Sequence, residues 1–299
     1  MITFISGGSE SARLISGFRS FMDDSQITVI TTTAYAEESP CGCSIPDLDT
    51  QIFLFAGIIN TRTWHGIQGD TCTTHHALMR LGTEEAQAVG DQERALHIFR
   101  AERLKRERLT DATIAIAHAY DIMAQILPVN DDIGEWSVTT PSGRMSLAEY
   151  RIAYDDDTHA CAVHAPSKTI PHASIESVDA IRKSDIVIIG PGRPVTGIMP
   201  ALMCTGIPEA LRDVPVISFV PFTAERSTAH EKKTYAPDKG AECPIYDYFT
   251  DLYLMDTRDP LPFDNALHID TRMDSRIQRE SLAWDIMALA EGLKKENRR

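Results

Sequence analysis

The chain has no apolar run approaching the roughly 20 residues that a bilayer-spanning helix needs, so no membrane partner is expected. Met1-Ile2-Thr3-Phe4-Ile5 runs straight into Gly7-Gly8 and lacks the basic and apolar stretches of a secretory signal, and a soluble, cytoplasmic protein is expected. Cysteine is sparse and scattered: the six residues at 41, 43, 72, 161, 204 and 243 show neither paired zinc-site spacing nor the density of a secreted disulfide scaffold. A reducing compartment follows. Cys41-Gly42-Cys43 is the one close pair, and a single intervening residue makes a poor chelate without further soft ligands. Basic charge is also short, with 29 Lys and Arg against 43 Asp and Glu, a net charge of −14. With a pI near 5.1, this argues against nucleic acid as a partner. The 299 residues suffice for one large domain, or a core with an insertion, without covalent staples.

What the chain does carry is acidic residues beside strand-like runs. Gln26–Thr33 is rich in β-branched residues and is followed by Ser44-Ile45-Pro46-Asp47-Leu48-Asp49-Thr50, then by the helix-like Gln51–Ile59. Two readings of Asp47 and Asp49 stand together. Carboxylates at the carboxyl end of a strand hold magnesium against a phosphate, and carboxylates at a helix start cap it and favour its dipole. A further acidic pair, Asn130-Asp131-Asp132, follows the strand-like Ile126-Leu127-Pro128-Val129 and strengthens the first reading.

Two glycine turns complete the chemistry. Thr3-Phe4-Ile5 leads through Gly7-Gly8 into an amphipathic run from Ala12 to Phe21, an arrangement that points free N–H groups at an anion. Asp185–Ile189 reads as a strand buried on both faces and runs into Gly190-Pro191-Gly192-Arg193, where the planar fork of Arg193 suits a diphosphate. Between them, 51–125 is almost wholly helical in pattern. It contains Asp91, Arg94 and His97 at three-residue steps, which suit either one polar face toward a cleft or a surface ion pair. The basic cluster from Arg100 to Arg108 is interleaved with glutamates and reads as a solvated helix face. Glu135–Thr140 and Met145–Tyr154 read as antiparallel strands and Asp155-Asp156-Asp157 as a loop. Thr223–Gly240, with His230, Lys232 and Lys233, reads as a lid or a surface loop, Leu252–Met255 as the last strand, and Ser275–Lys295 as a terminal amphipathic helix. The expected fold class is α/β, a parallel sheet core built from 1–45 and 126–299, with 46–125 as a helical insertion.

In order along the chain, Gly7-Gly8, Pro46-Asp47-Leu48-Asp49-Thr50, Trp64-His65-Gly66 with Gly69-Asp70-Thr71, Gly90-Asp91 with His97-Ile98, Ile126-Leu127-Pro128 with Asp131-Asp132, Ile189-Gly190-Pro191 with Pro194-Val195-Thr196, Gly206-Ile207, and Asp256 with Arg258-Asp259 resemble the 2-phospho-L-lactate transferase family of coenzyme F-420 biosynthesis. The resemblance implies a Rossmann-like α/β core with a helical insertion, in a homodimer that moves a phospholactyl or related phospho-acid group from a guanosine diphosphate-type donor to the ribityl hydroxyl of a deazaflavin, releasing GMP with Mg2+ present. It also implies roles. Asp49 and Asp47 are the candidate catalytic and metal residues, Asp49, Asp131 and Asp132 would meet the acceptor, and Gly7, Gly8, Gly190, Pro191 and Arg193 would form the donor pocket.

The sequence also departs from that pattern. Ser9-Glu10-Ser11 follows the opening glycines, Thr32-Thr33-Ala34-Tyr35-Ala36 replaces an Asn-Thr-x-x-Asp run, Gln92 replaces an arginine, and Phe222-Thr223-Ala224-Glu225-Arg226 replaces a glycine-rich basic segment. A divergent noncatalytic or regulatory relative binding a nucleotide or nucleotide sugar is the alternative. A dehydrogenase is disfavoured because Gly7-Gly8-Ser9-Glu10 lacks the spaced glycines of a dinucleotide fingerprint.

Overall fold

Alternation of apolar side chains along short β-branched runs builds a sheet with two buried faces, and the helices between the runs cover both. The computed structural model describes residues 1–39, 42–83, 85, 88–154, 160, 162–166, 170–220, 248–259 and 266–296. The chain runs β1 (Ile2–Gly7), α1 (Ser9–Phe18), β2 (Ile27–Thr31), the hairpin β3 (Glu37–Ser39) and β4 (Gly42–Ser44), then α2 (Pro46–Phe55), α3 (Thr73–Arg80), α4 (Asp91–Leu104) and α5 (Leu109–Ala119). It continues with β5 (Gln125–Pro128), β6 (Ser137–Thr140), β7 (Gly143–Ser146), α6 (Leu147–Ala153), β8 (Ala162–His164), α7 (Ile175–Arg182), β9 (Ile186–Gly192) and a π-helical turn at Pro194–Ile198. Then come α8 (Met199–Met203), α9 (Ile207–Leu211), β10 (Val216–Phe219), β11 (Leu252–Asp256), β12 (Ala266–Ile269) and α10 (Arg276–Glu296).

The main sheet has the order β12-β11-β10-β9-β1-β2-β5, and every pairing in it is parallel. Chain order therefore reverses between β1 and β9, which places the topological switch point, where open α/β sheets take ligands, at Gly7 and Gly192. The period of two is plain in the core. Phe4, Val29, Ile126, Ile188 and Ile217 face α1, α2, α5 and α10. Ile5, Ile30, Leu127, Val187 and Val216 face α7, α8 and α9 on the other side. Leu48, Ile52 and Phe53 of α2, Leu96 of α4 and Ile116 of α5 belong to the same buried cluster as β1 and β2, so the segment 46–125 shares the sheet's core.

A second layer caps the carboxyl edge. β6, β7 and β8 form a small antiparallel sheet, and with α6 they bury Trp136, Val138, Leu147 and Tyr150 against Ala34, Tyr35 and Val195. Residues 147–153 are helical rather than extended. Ser146 accepts from the Glu149 backbone N–H at 3.1 Å while Glu149 Oε2 accepts from the Ser146 N–H at 2.9 Å. This capping box overrides the alternation that suggested a strand. A further strand, β12, follows the expected last one and pairs with β11 from Tyr253–Ala266 to Asp256–Ile269. The terminal helix is as expected, with Leu282 and Ile286 buried and Leu289 and Leu293 packed against the core. The Asp155–Asp157 loop, the segment Thr223–Gly240 and Cys41 lie outside the described residues.

Candidate active site

The strand-to-helix turn after β1 begins the site. Gly8 has φ +94°, a conformation that favours glycine, and a Cβ there would stand 2.7 Å from Asp47 Oδ1. The carboxylate of Asp47 thus lies against the amino end of α1. Ser11 Oγ accepts from the Gly7 N–H at 2.9 Å and donates to the Pro191 carbonyl, tying the first glycine turn to the second. The two turns touch directly, since a Cβ on Gly192 would lie 2.5 Å from Gly7 Cα and one on Gly197 would lie 3.0 Å from it. Gly7 therefore serves close backbone packing at the switch point, together with Gly192 of the second glycine turn and with Gly197, which no sequence motif singled out.

Pro46 starts α2 at its first helical position, where a missing N–H costs nothing. Asp47 and Asp49 both fall in that first turn and are each 1% exposed, yet their partners differ. Asp47 Oδ2 accepts from the Tyr35 hydroxyl and Asp47 Oδ1 from Arg151 Nη1 at 3.2 Å. Arg151 also lies over the Tyr35 ring, 4.5 Å from its centroid, and comes from α6 of the capping layer. Burial, opposed by the Arg151 charge and reinforced by Asp47, raises the Tyr35 hydroxyl well above its ordinary value, so it remains a donor.

Asp49 faces α4 instead. Its Oδ2 accepts from the Ile45 N–H at 3.1 Å and from His97 Nε2 at 3.0 Å, and its Oδ1 from Arg100 Nη2. Burial alone would raise this carboxyl; the Arg100 charge and the His97 and Arg100 hydrogen bonds outweigh it and hold Asp49 below the usual range. Arg100 is 0% exposed and also donates to the Cys43 carbonyl at 2.9 Å, so it does not belong to the solvated basic face expected for Arg100 to Arg108. The three-residue steps of Asp91, Arg94 and His97 do not converge on one cleft. His97 turns to Asp49, Arg94 to Glu85 at 2.8 Å, and Asp91 caps α3 through the Thr73 and Thr74 N–H groups. Continuing the same step to 100 would have singled out Arg100.

The acidic pair after β5 is divided too. Asp131 Oδ1 accepts from the Thr110 N–H at 2.8 Å, at the start of α5, with Arg108 3.5 Å from its other oxygen. Asp132 is exposed. No hydrogen bond or ion pair among the described residues joins either to Asp47 or Asp49. Gly190 and Pro191 line the second turn, and Arg193 beyond them is half-buried, its Nη1 donating to the Tyr154 carbonyl of the capping layer at 3.3 Å. Gln51 is fully buried between the layers; its Nε2 donates to Ser6 Oγ at 3.0 Å while its Oε1 has no partner.

Fitness for magnesium follows from these partners. Asp47 and Asp49 are not assembled as a two-carboxylate site, and no group of three or more candidate ligands occurs among the described residues. Asp47 alone fits the role of a single carboxylate ligand beside the Gly8 turn, as this cation completes its sphere with water and substrate oxygens.

The site is thus a glycine turn at a switch point, one carboxylate against it, and arginines from two further segments. The sequence matches the family model "2-phospho-L-lactate transferase CofD" over residues 2–278. It is 38% identical to the 2-phospho-L-lactate transferase of Methanospirillum hungatei JF-1, covering 96% of this chain and 99% of that one. It is 36% identical to that of Methanocorpusculum labreanum, covering 96% and 98%. In fold it is similar to a crystal structure of a UPF0052 family protein from Bacillus halodurans, with a TM-score of 0.57, 14% identity and coverage of 94% and 89%. Matched over nearly its whole length, the chain belongs to the 2-phospho-L-lactate transferase family.

Proposed function

We propose that this enzyme transfers a phospholactyl or related phospho-acid group from a guanosine diphosphate-type donor to the ribityl hydroxyl of a deazaflavin, releasing GMP. The acceptor oxygen bonds to the phosphorus that carries the acid, the bond from that phosphorus to the bridging oxygen breaks, and GMP leaves with the electron pair. The hydroxyl proton passes to a base, for which Asp47 is the proposed group. The observation that carries this reading is the Asp47 carboxylate lying against the Gly8 turn, at the amino end of α1 and the switch point of the sheet.

Phosphoryl transfer asks mainly for positioned oxygens and charge neutralisation. Gly7, Gly8, Gly190 and Pro191 shape the donor side in this reading, and Arg193 with Arg151 supplies positive charge. Magnesium, when bound, would add charge neutralisation at the diphosphate, and Asp47 is the residue proposed to hold it. Asp49 acts by positioning, because Arg100 and His97 fix the start of α2 on which Asp47 stands. Asp131 and Asp132 are kept as proposed acceptor contacts at the adjacent strand end. A homodimer and a cytoplasmic location are proposed on the resemblance; among the described residues no helix is long and apolar enough to cross a membrane.

A turnover assay with purified protein, donor, deazaflavin and magnesium tests the reading. GMP and phosphorylated deazaflavin should appear in equal amounts, and Asp47→Asn should abolish both. Deazaflavin binding without GMP release from any such donor would refute it.

A further inference from the structure

Away from the glycine turns, two arginines share one indole. Arg279 Cζ lies 4.8 Å from the centroid of the Trp64 ring and Arg13 Cζ lies 5.8 Å from it. Trp64 is 6% exposed and holds φ +60°, so a constrained loop fixes it in place. The two cations come from helices that pack side by side. The Gly17 Cα faces the Arg279 carbonyl and Ala283, and Phe21 stacks on Trp284 at 4.1 Å, so α1 and α10 run in the same direction. Arg13, one turn before Gly17, therefore stands beside the amino end of α10. Ser275 and Gln278 cap that end, Ser275 Oγ accepting from the Gln278 N–H at 3.2 Å and Gln278 Oε1 from the Ser275 N–H at 2.9 Å.

Neither guanidinium has a carboxylate partner among the described residues. Glu280, next to Arg279 in sequence, pairs with Arg276 at 2.6 Å instead. Arg279 Nη1 donates to the Met273 carbonyl at 3.2 Å, whereas the Nε atoms of both Arg13 and Arg279 are buried without a partner. In a chain of net charge −14, two like charges pressed toward one ring with no anion between them are out of character. Burial, and after it the Arg13 charge, makes Arg279 hold its proton less firmly than an ordinary arginine. An oxyanion at the outer nitrogens of the two guanidinium groups would offset the like charges and meet the positive end of a long helix.

We infer that Arg13, Arg279 and the amino end of α10 form a second anion site, which takes a phosphate group against the wall made by Trp64. It is separate from the turn at Gly8, and the inference does not rest on the transferase reading. Inorganic phosphate and the terminal phosphate of a nucleotide or phospho-acid share the required chemistry.

Nuclear magnetic resonance of the arginine Nε–H groups in the full-length protein, titrated with inorganic phosphate at constant ionic strength, tests it. Saturable shifts of the Arg13 and Arg279 signals are expected, and Arg279→Gln should remove the shift of Arg13, as Arg13→Gln should remove that of Arg279. Arg13→Lys, which keeps the charge but not the fork, should weaken binding about tenfold. In Arg193→Gln, altered at the other turn, both shifts should persist. Repeating the titration with GDP and with a phosphorylated hydroxy acid identifies the source: displacement of phosphate by either assigns the site to that ligand, and no displacement assigns it to free phosphate. Shifts that grow linearly and match those produced by chloride would overturn the inference and leave the two arginines as a clamp on Trp64. Because the wild-type titration decides this, the outcome does not depend on the variants folding.

Discussion

Arg151 Nη1 reaches Asp47 Oδ1 at 3.2 Å across 104 positions of sequence, joining the capping layer to the start of α2. The contact matters because Asp47 also lies against the Gly8 turn, so one ion pair sets where a carboxylate stands relative to that turn. Arg151→Gln should lower kcat/KM by roughly 100- to 1,000-fold, the range for loss of one preorganised donor. Its stability should fall by about 1–3 kcal/mol, less than for a fully buried pair because the arginine side chain is 38% exposed, yet measurably because Asp47 is 1% exposed and keeps the Tyr35 hydroxyl. Steady-state kinetics beside urea unfolding will separate the two effects.

The buried pair of Asp49 and Arg100 should behave in the opposite way. Arg100→Met leaves a charge with too few partners in the interior, and a loss of about 3–5 kcal/mol in unfolding free energy is expected. Asp49→Leu combined with Arg100→Met should recover much of it, because the paired desolvation cost disappears with both charges. Equilibrium denaturation of the single and double variants gives the comparison.

Stability against pH should carry two opposed contributions from one network. The carboxyl of Asp49 is depressed in the folded protein, so its contribution is complete above its unfolded value near about 4 and is lost as pH falls through the lower folded value. Glu93, 3.9 Å from His97 Nε2, is raised from 4.5 by burial and then by the Asp49 charge. The folded state binds that proton more tightly, so the Glu93 contribution to stability falls as pH rises past about 4.5. Glu93→Gln should accordingly gain on wild type between pH 4.5 and 7, as measured by urea midpoints. An unchanged difference across that range would count against the assignment.

At the glycine turn, Gly8→Ala should be costly for two separate reasons. An alanine at φ +94° is strained by about 1–2 kcal/mol, and its Cβ would press on Asp47 Oδ1, which Arg151 holds in place. Lower thermal stability together with weaker donor binding is expected. Calorimetric titration with the donor checks the second, and a loss of stability with donor affinity intact would place phosphate binding elsewhere.

The α/β class, the strands Ile2–Gly7, Ile27–Thr31 and Ile186–Gly192, and the terminal helix were legible because local composition and buried-face alternation act within a few residues. So was the position of both glycine turns. Residues 147–153 were misread, since a four-residue capping box outweighs a weak alternation over the same stretch. The motif Pro46-Asp47-Leu48-Asp49 was visible as chemistry but not as geometry. One residue apart on a helix, the carboxylates point away from each other, and their partners lie at 35 and 151 for one and at 97 and 100 for the other.

By itself, then, the sequence determined the core strands β1, β2 and β9, the terminal helix and the places where acidic and glycine-rich turns follow strands, because hydrophobic periodicity and turn chemistry are local properties of the chain. Only the tertiary structure decided that β1 and β9 meet with Gly7 against Gly192, that Asp47 joins the Gly8 turn while Asp49 is bound into α4, and that Arg13 and Arg279 converge on Trp64. Those relations depend on parallel crossovers and helix packing, which bring together residues far apart in sequence and which no local pattern encodes.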